Sequence, residues 1–159
     1  MIYLAADHRG FALKEKTKQW LTEWGYEFQD VGAPLHDPED DYPDFMHAAA
    51  RNVAENPLEH RAILFGGSGQ GEAMVANRYR GVRAIVYYGG PKEIVAISRV
   101  HNDSNVLSIG AALGINQKEE QPMDDITAQT AIKLWLETKY SGEEGHARRI
   151  AKIELPASE

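Results

Sequence analysis

The stretch Gly67-Ser68-Gly69-Gln70-Gly71-Glu72 sets three glycines, a hydroxyl and a carboxylate within six residues. Glycines let backbone N–H groups approach a ligand closely, and the unpaired N–H groups of a helix's first turn carry partial positive charge. An apolar run, Ala62 to Phe65, precedes the stretch, and Ala73, Met74, Val75 and Ala76 open a helical pattern after it. A strand, a glycine turn and a helix N-terminus in that order suit an anion, either a phosphate or an oxyanion formed during a reaction. Glu72 places a possible base beside this cradle, which is the reading of a catalytic turn. Taken alone, the turn is better explained as a tight connection in which Glu72 only favours the helix dipole. Chemistry elsewhere in the chain has to argue for more.

Three better-known glycine motifs are excluded. A dinucleotide fingerprint needs glycine where Glu72 stands, and a hydrolase nucleophile elbow needs glycine where Gln70 stands. The Gly-Lys-Ser/Thr ending of a P-loop is also missing.

Other reactive residues fall at the ends of expected elements. Asp7-His8-Arg9-Gly10 follows the first strand, where open α/β sheets bind ligands, although Asp7 could equally cap a helix entry. Tyr42, in a Pro- and Asp-rich loop, is either a pocket wall or a loop anchor. His101-Asn102-Asp103 ends a helix just before an apolar strand; the histidine is a dipole partner or a group that passes protons near neutrality. His146, Arg148, Arg149 and Lys152 form the densest basic cluster of the chain, a solvated helix face or a holder of anions. His36 and His47 are isolated, and no His/Asp/Glu group shows metal-ligand spacing, so no metal is expected.

Strands that place these residues are expected at Ile2 to Ala6, Glu27 to Val31, Arg61 to Phe65, Val82 to Tyr87 and Val106 to Ile109. Helices are expected from Phe11 to Trp24, from about Asp44 to Glu55, through Asn77-Arg78, from Gly89-Gly90-Pro91 through Val100, and from about Asp124 to Lys139. In the first helix Leu13, Thr17, Trp20, Leu21 and Trp24 form the apolar stripe, with Lys14, Glu15, Lys18 and Glu23 facing water. Glu27 to Val31 is partly polar and is expected near the sheet edge. A long loop containing Pro122 precedes the last large helix, and a charged helical tail runs from Glu143 to Ile153. The alternation predicts an α/β fold with a parallel sheet.

With 159 residues, 43% of them hydrophobic, the chain suits a single domain with a sizeable core. A formal charge of -7 argues against nucleic-acid or anionic-membrane partners, so an anionic substrate needs a local basic cluster. There is no cysteine, which removes disulfides and a thiol nucleophile. Neither a signal pattern nor a membrane-length apolar run is present, and a cytoplasmic protein is expected.

Together the segments Ala6 to Phe11 with Leu13-Lys14, Asp41-Tyr42-Pro43, Gly67 to Gly71 with Ala76-Asn77, Ser98 to Asp103, and His146 to Arg149 resemble the B type of ribose-5-phosphate isomerase. That family also contains the galactose-6-phosphate isomerase subunits. The resemblance implies a Rossmann-like three-layer domain with a five-stranded parallel sheet, and a homodimer, with a tetramer as the further option. It implies a cofactor-free aldose–ketose interconversion through an enediolate. Asp7, His8, Tyr42, Asn102 and the turn Gly67, Ser68, Gly69, Gln70, Gly71 would line the sugar site. His101 would assist ring opening, and Arg149 with His146 would bind phosphate from the partner subunit, helped by Arg9 and Arg148. Many family members carry a cysteine base at the position of Gly66; a variant places a glutamate in the following helix, which Glu72 matches. Family arginine and basic positions correspond here to Ala112 and Gly145. Isomerisation of another sugar or sugar phosphate, and a phosphate- or nucleotide-binding module without catalysis, are the competing readings.

Overall fold

A computed structural model describes residues 1–114 and 120–154. The elements run β1 (Ile2–Ala6), α1 (Phe11–Glu23), β2 (Phe28–Asp30), α2 (Tyr42–Glu55), β3 (Arg61–Gly66), α3 (Gln70–Ala76), β4 (Ala84–Tyr87), α4 (Glu93–Asn102), β5 (Val106–Gly110), β6 (Ala112–Leu113), β7 (Gln121–Pro122), α5 (Asp125–Glu137) and α6 (Glu144–Ile150). The first five strands by chain order, β1 to β5, make one parallel sheet in the order β2-β1-β3-β5-β4. β2 is an edge strand, as its polarity predicts.

Period-two alternation divides the core between the two faces of the sheet. In β3, Ile63 and Phe65 join Leu13 and Leu21 of α1, Val95 of α4 and Trp135 of α5. Ala62 and Leu64 turn the other way, onto Met46, Ala49, Ala50 and Val53 of α2 and Ala76 of α3. Helices therefore cover both faces, which gives the expected three layers.

The chain passes from β1 outward to β2 and then returns to β3 on the other side of β1. The strand order reverses between β1 and β3, and a crevice opens at the carboxyl ends of two such neighbours. Ala6 pairs with Phe65 in the final step of this ladder, so Asp7 and Gly66 leave the sheet side by side.

Three expectations need correction. Lys14 does not face water. Its side chain is 1% exposed, and Nζ donates to Asp30 Oδ2 at 2.7 Å and to the Ala33 carbonyl at 2.8 Å. Burial works against the Asp30 charge, but Lys14, the Gly32 N–H and Lys18 outweigh it and hold the carboxyl below the ordinary range. The segment around Pro122 is not wholly loop either: β6 and β7 form a short antiparallel ribbon with Ala112 opposite Pro122. The fourth strand also starts later than predicted, at Ala84, where the Asn77 side chain both accepts from its N–H and donates to its carbonyl. No helix among the described residues is long and apolar enough to cross a membrane.

Candidate active site

The glycine turn is held by its carbonyls. Gly66 O accepts from Ala111 N at 2.8 Å, Gly67 O from Ala112 N at 3.1 Å, and Gly69 O from Ser108 Oγ at 2.7 Å. Gly69 takes φ +77°, a backbone that a side chain would strain. The turn is thereby fastened to β5 and to the two residues that follow it, and α3 starts directly after the turn.

From the first turn of α3, Glu72 folds back over Gly66. A Cβ at position 66 would overlap the Glu72 carboxylate. Glu72 is 4% exposed, and burial raises its pKa above the ordinary value; the nearby charge of Asp7 raises it further, while Arg9 opposes. Asp7 is likewise raised by burial, although its Oδ1 accepts from Gly10 N and Arg9 N at 3.0 Å. It thus closes the turn that leads into α1, whose N-cap is Gly10, and it stands at the crevice. Raised basicity suits a carboxylate that must take a proton from carbon.

Three side chains frame this pair. Tyr42 stacks over the start of α3, where a Cβ on Gly71 would come within 2.8 Å of its ring. The Arg9 guanidinium covers Gly67, and its Nη2 donates to Ala112 O at 2.9 Å and pairs with Glu120 at 2.5 Å. His8 is held by Asp40, whose Oδ1 lies 2.6 Å from Nδ1 and accepts from the His8 N–H at 3.1 Å. Ser68 Oγ accepts from Gln70 N at 3.3 Å, and both residues are exposed.

Asp7, His8 and Asp40 bring one ligand atom each within 4.8 Å of one another, a grouping that sequence spacing did not show. Asp7 Oδ1 accepts from Arg9 N and Gly10 N, and Asp40 Oδ1 holds His8, while Asp40 Oδ2 is buried without a partner among the described residues. The arrangement is that of a carboxylate-oriented imidazole, with Nε2 left for a ligand.

The remaining predicted residues lie elsewhere. His101 and Asn102 end α4, and Arg83 at the entry to β4 donates to the Asn102 carbonyl at 3.1 Å. The rings of His101 and His146 pack with centroids 4.5 Å apart and planes tilted by 36°, and His146 Nδ1 lies 2.9 Å from Ser141 Oγ. Arg148 and Arg149 are exposed on α6, where Arg149 donates to Gly145 O at 3.2 Å. This second cluster sits at the amino ends of the strands and Glu72 at their carboxyl ends. A six-residue strand such as β3 separates them by about 16 Å. A groove lined by Asn77, Arg80, Arg83, Ile85, Asn102 and Ile153 opens at the second end.

A model of the family described as Ribose/Galactose Isomerase matches residues 2–153. The chain belongs to that family. It is 32% identical over 149 residues to ribose-5-phosphate isomerase B of Mycobacterium tuberculosis, covering 94% of this chain and 85% of the relative. The crystal structure of ribose-5-phosphate isomerase B from Mycoplasma genitalium with bound ribulose 5-phosphate superposes with a TM-score of 0.85 at 30% identity, covering 96% of this chain and 92% of that one. Type B ribose 5-phosphate isomerase from Trypanosoma cruzi gives 0.81 at 33% identity, with 96% and 92% covered.

Asp40 and Glu120 contact candidate site residues, His8 and Arg9, and the sequence did not single them out. Asp40 belongs to the acidic loop Asp37 to Asp41, where nothing distinguishes it from its neighbours. Glu120 carries no local signal at all, because its partner Arg9 lies at the other end of the chain.

Proposed function

We propose that the chain is an aldose–ketose isomerase that interconverts ribose 5-phosphate and ribulose 5-phosphate through an enediolate, in the cytoplasm and without a metal or cofactor. The observation that carries this reading is the buried Glu72 carboxylate seated in the space beside Gly66, against the glycine turn. Family membership and relatives named for this reaction support it.

In the open-chain aldose, Glu72 takes the proton from C2. Electrons flow onto the C1 oxygen, and N–H groups of Gly67 to Gly71 stabilise the enediolate. Preorganised donors of this kind contribute about 3 kcal/mol each. The C2 hydroxyl passes its proton to the C1 oxygen, which becomes the C1 hydroxyl, while Glu72 returns its own proton to C1 and C2 is left as the ketose carbonyl. Asp7, His8, Arg9 and Tyr42 hold the sugar and its phosphate from the same subunit. His101, which assists ring opening, and Asn102, His146, Arg148 and Arg149 come from a second copy, because one chain keeps them a strand's length away from Glu72. A homodimer accounts for this, with dimers free to pair into tetramers. Apolar side chains left open beside edge strand β4 offer a contact surface: Met74, Tyr88, Ile94 and Ile97 are between 45% and 64% exposed.

A different sugar phosphate is the second reading, favoured by Ala112 and Gly145 at positions where the family resemblance leads one to expect basic residues. A binding module without catalysis has no use for a buried, basic Glu72. The test is to incubate the purified protein with ribose 5-phosphate, with and without a chelator, and to follow ribulose 5-phosphate. Turnover in both is expected. No turnover, or turnover restored only by a divalent ion, would overturn the reading.

A further inference from the structure

Arg9 is a half-used cation at the site. Only glycine at position 67 admits it, since a Cβ there would come within 2.6 Å of Cζ and Nη1. Among the described residues, protein acceptors converge on Nη2: the Ala112 carbonyl at 2.9 Å and the Glu120 carboxylate at 2.5 Å. Nε is closed off from solvent and has no partner among the described residues. A guanidinium offers five N–H donors in a fixed fork, so a group with several acceptor oxygens can use more of it than one carboxylate does.

Glu120 reaches Arg9 from the residue just before β7, while Ala112 holds Arg9 from the opposite strand, β6. The side chains of Arg9 and Glu120 are 30% and 27% exposed, so water reaches the pair. An ion pair in such a setting is weak and exchangeable. A phosphate ester brings more charge and three acceptor oxygens, and it can take the place of the carboxylate.

We propose that Glu120 is a built-in stand-in for the substrate's phosphate, competing with it for Arg9 and so setting anion specificity. This rests on the reading that the site takes a sugar phosphate. In the empty site Glu120 keeps the guanidinium over Gly67. On binding, the phosphate displaces Glu120 from Nη2 and engages Nε. A sugar carboxylate, with a single charge, gains nothing by the same exchange, so Glu120 discriminates against sugar acids while raising the KM for phosphorylated substrate.

The test is steady-state kinetics with ribose 5-phosphate, with inorganic phosphate as competitive inhibitor, on full-length wild type, Glu120→Gln, Arg9→Gln and the double variant. Glu120→Gln should lower both KM and the phosphate inhibition constant about twofold to fivefold, the range expected for freeing an exposed ion pair. Arg9→Gln should raise both constants, and in that background Glu120→Gln should have no effect. Unchanged or raised constants in Glu120→Gln overturn the proposal, as does a gain that survives without Arg9, which would mark a general charge effect. Calorimetric titration of inorganic phosphate into wild type and Glu120→Gln separates this from the substrate assignment. Tighter phosphate binding in Glu120→Gln without turnover of ribose 5-phosphate would uphold the competition and remove the substrate. Equal phosphate binding with normal turnover would do the reverse.

Discussion

The Glu72 carboxylate occupies the volume that a side chain on Gly66 would fill. The two positions are therefore coupled: a base delivered from α3 requires an empty place at the end of β3, and a side chain at that place would evict it. Gly66 is glycine for this reason, with Glu72 the flexible partner that would have to give way.

Gly66→Ala should displace Glu72 rather than unfold the protein, because the atoms in the way are the far end of a flexible side chain. Isomerisation should fall by about a hundredfold, as for loss of a general base, with a melting temperature close to that of wild type. Full activity in a folded Gly66→Ala variant would show that the carboxylate does not act from this place.

Glu72→Gln should lower kcat by about a hundredfold or more while sugar binding survives. Burial raises the folded-state pKa of Glu72 above the ordinary value of 4.5, so activity should decline on acidification as pH falls through the raised value. Stability runs the other way. The folded protein holds the Glu72 proton more tightly than the unfolded chain, so this group favours folding most below pH 4.5 and progressively less as pH rises through the raised value. Glu72→Gln should accordingly be at least as stable as wild type at neutral pH, with the difference vanishing in acid. Denaturation curves across pH check this, and a neutral-pH loss of stability would count against a costly buried charge.

Mixing two defective variants tests whether sites are shared. Glu72→Gln and His101→Asn, co-refolded in equal amounts, should regain about a quarter of wild-type activity if each site draws Glu72 from one subunit and His101 from the other, since half the dimers are mixed and each carries one intact site. No recovery, with exchange of subunits demonstrated by mass, would place both residues in one subunit's site.

Lys14→Ala should cost about 3 kcal/mol in urea denaturation, because it leaves Asp30 and the Ala33 carbonyl without their buried donor. Lys16→Ala, which loses only a half-exposed pair with Asp125, should cost less than about 1 kcal/mol. Equal effects would mean that burial of Lys14 contributes little.

The amino-acid sequence by itself determined the pieces whose physics is local. Apolar runs in β1, β3 and β5, the glycines between β3 and α3, and the stripe Ala128, Ala131, Ile132, Trp135 and Leu136 on α5 each declare their element through periodicity and backbone freedom. Glu72 could be singled out as a candidate base for the same reason, since it lies only a few residues from the glycine turn. What only the tertiary structure decided was anything settled by residues distant in the chain. Lys14 looks like a water-facing helix residue until β2 and the loop after it bring Asp30 and Ala33 over it. Asp40 is one acid among several until the loop lays it on His8, and Glu120 has no role until the β6–β7 ribbon carries it to Arg9. The division of the reactive residues between the two ends of the sheet follows from topology. Helices return the chain antiparallel to the strands, so a residue that ends a strand and one that ends a helix emerge at opposite edges, however well their chemistry matches.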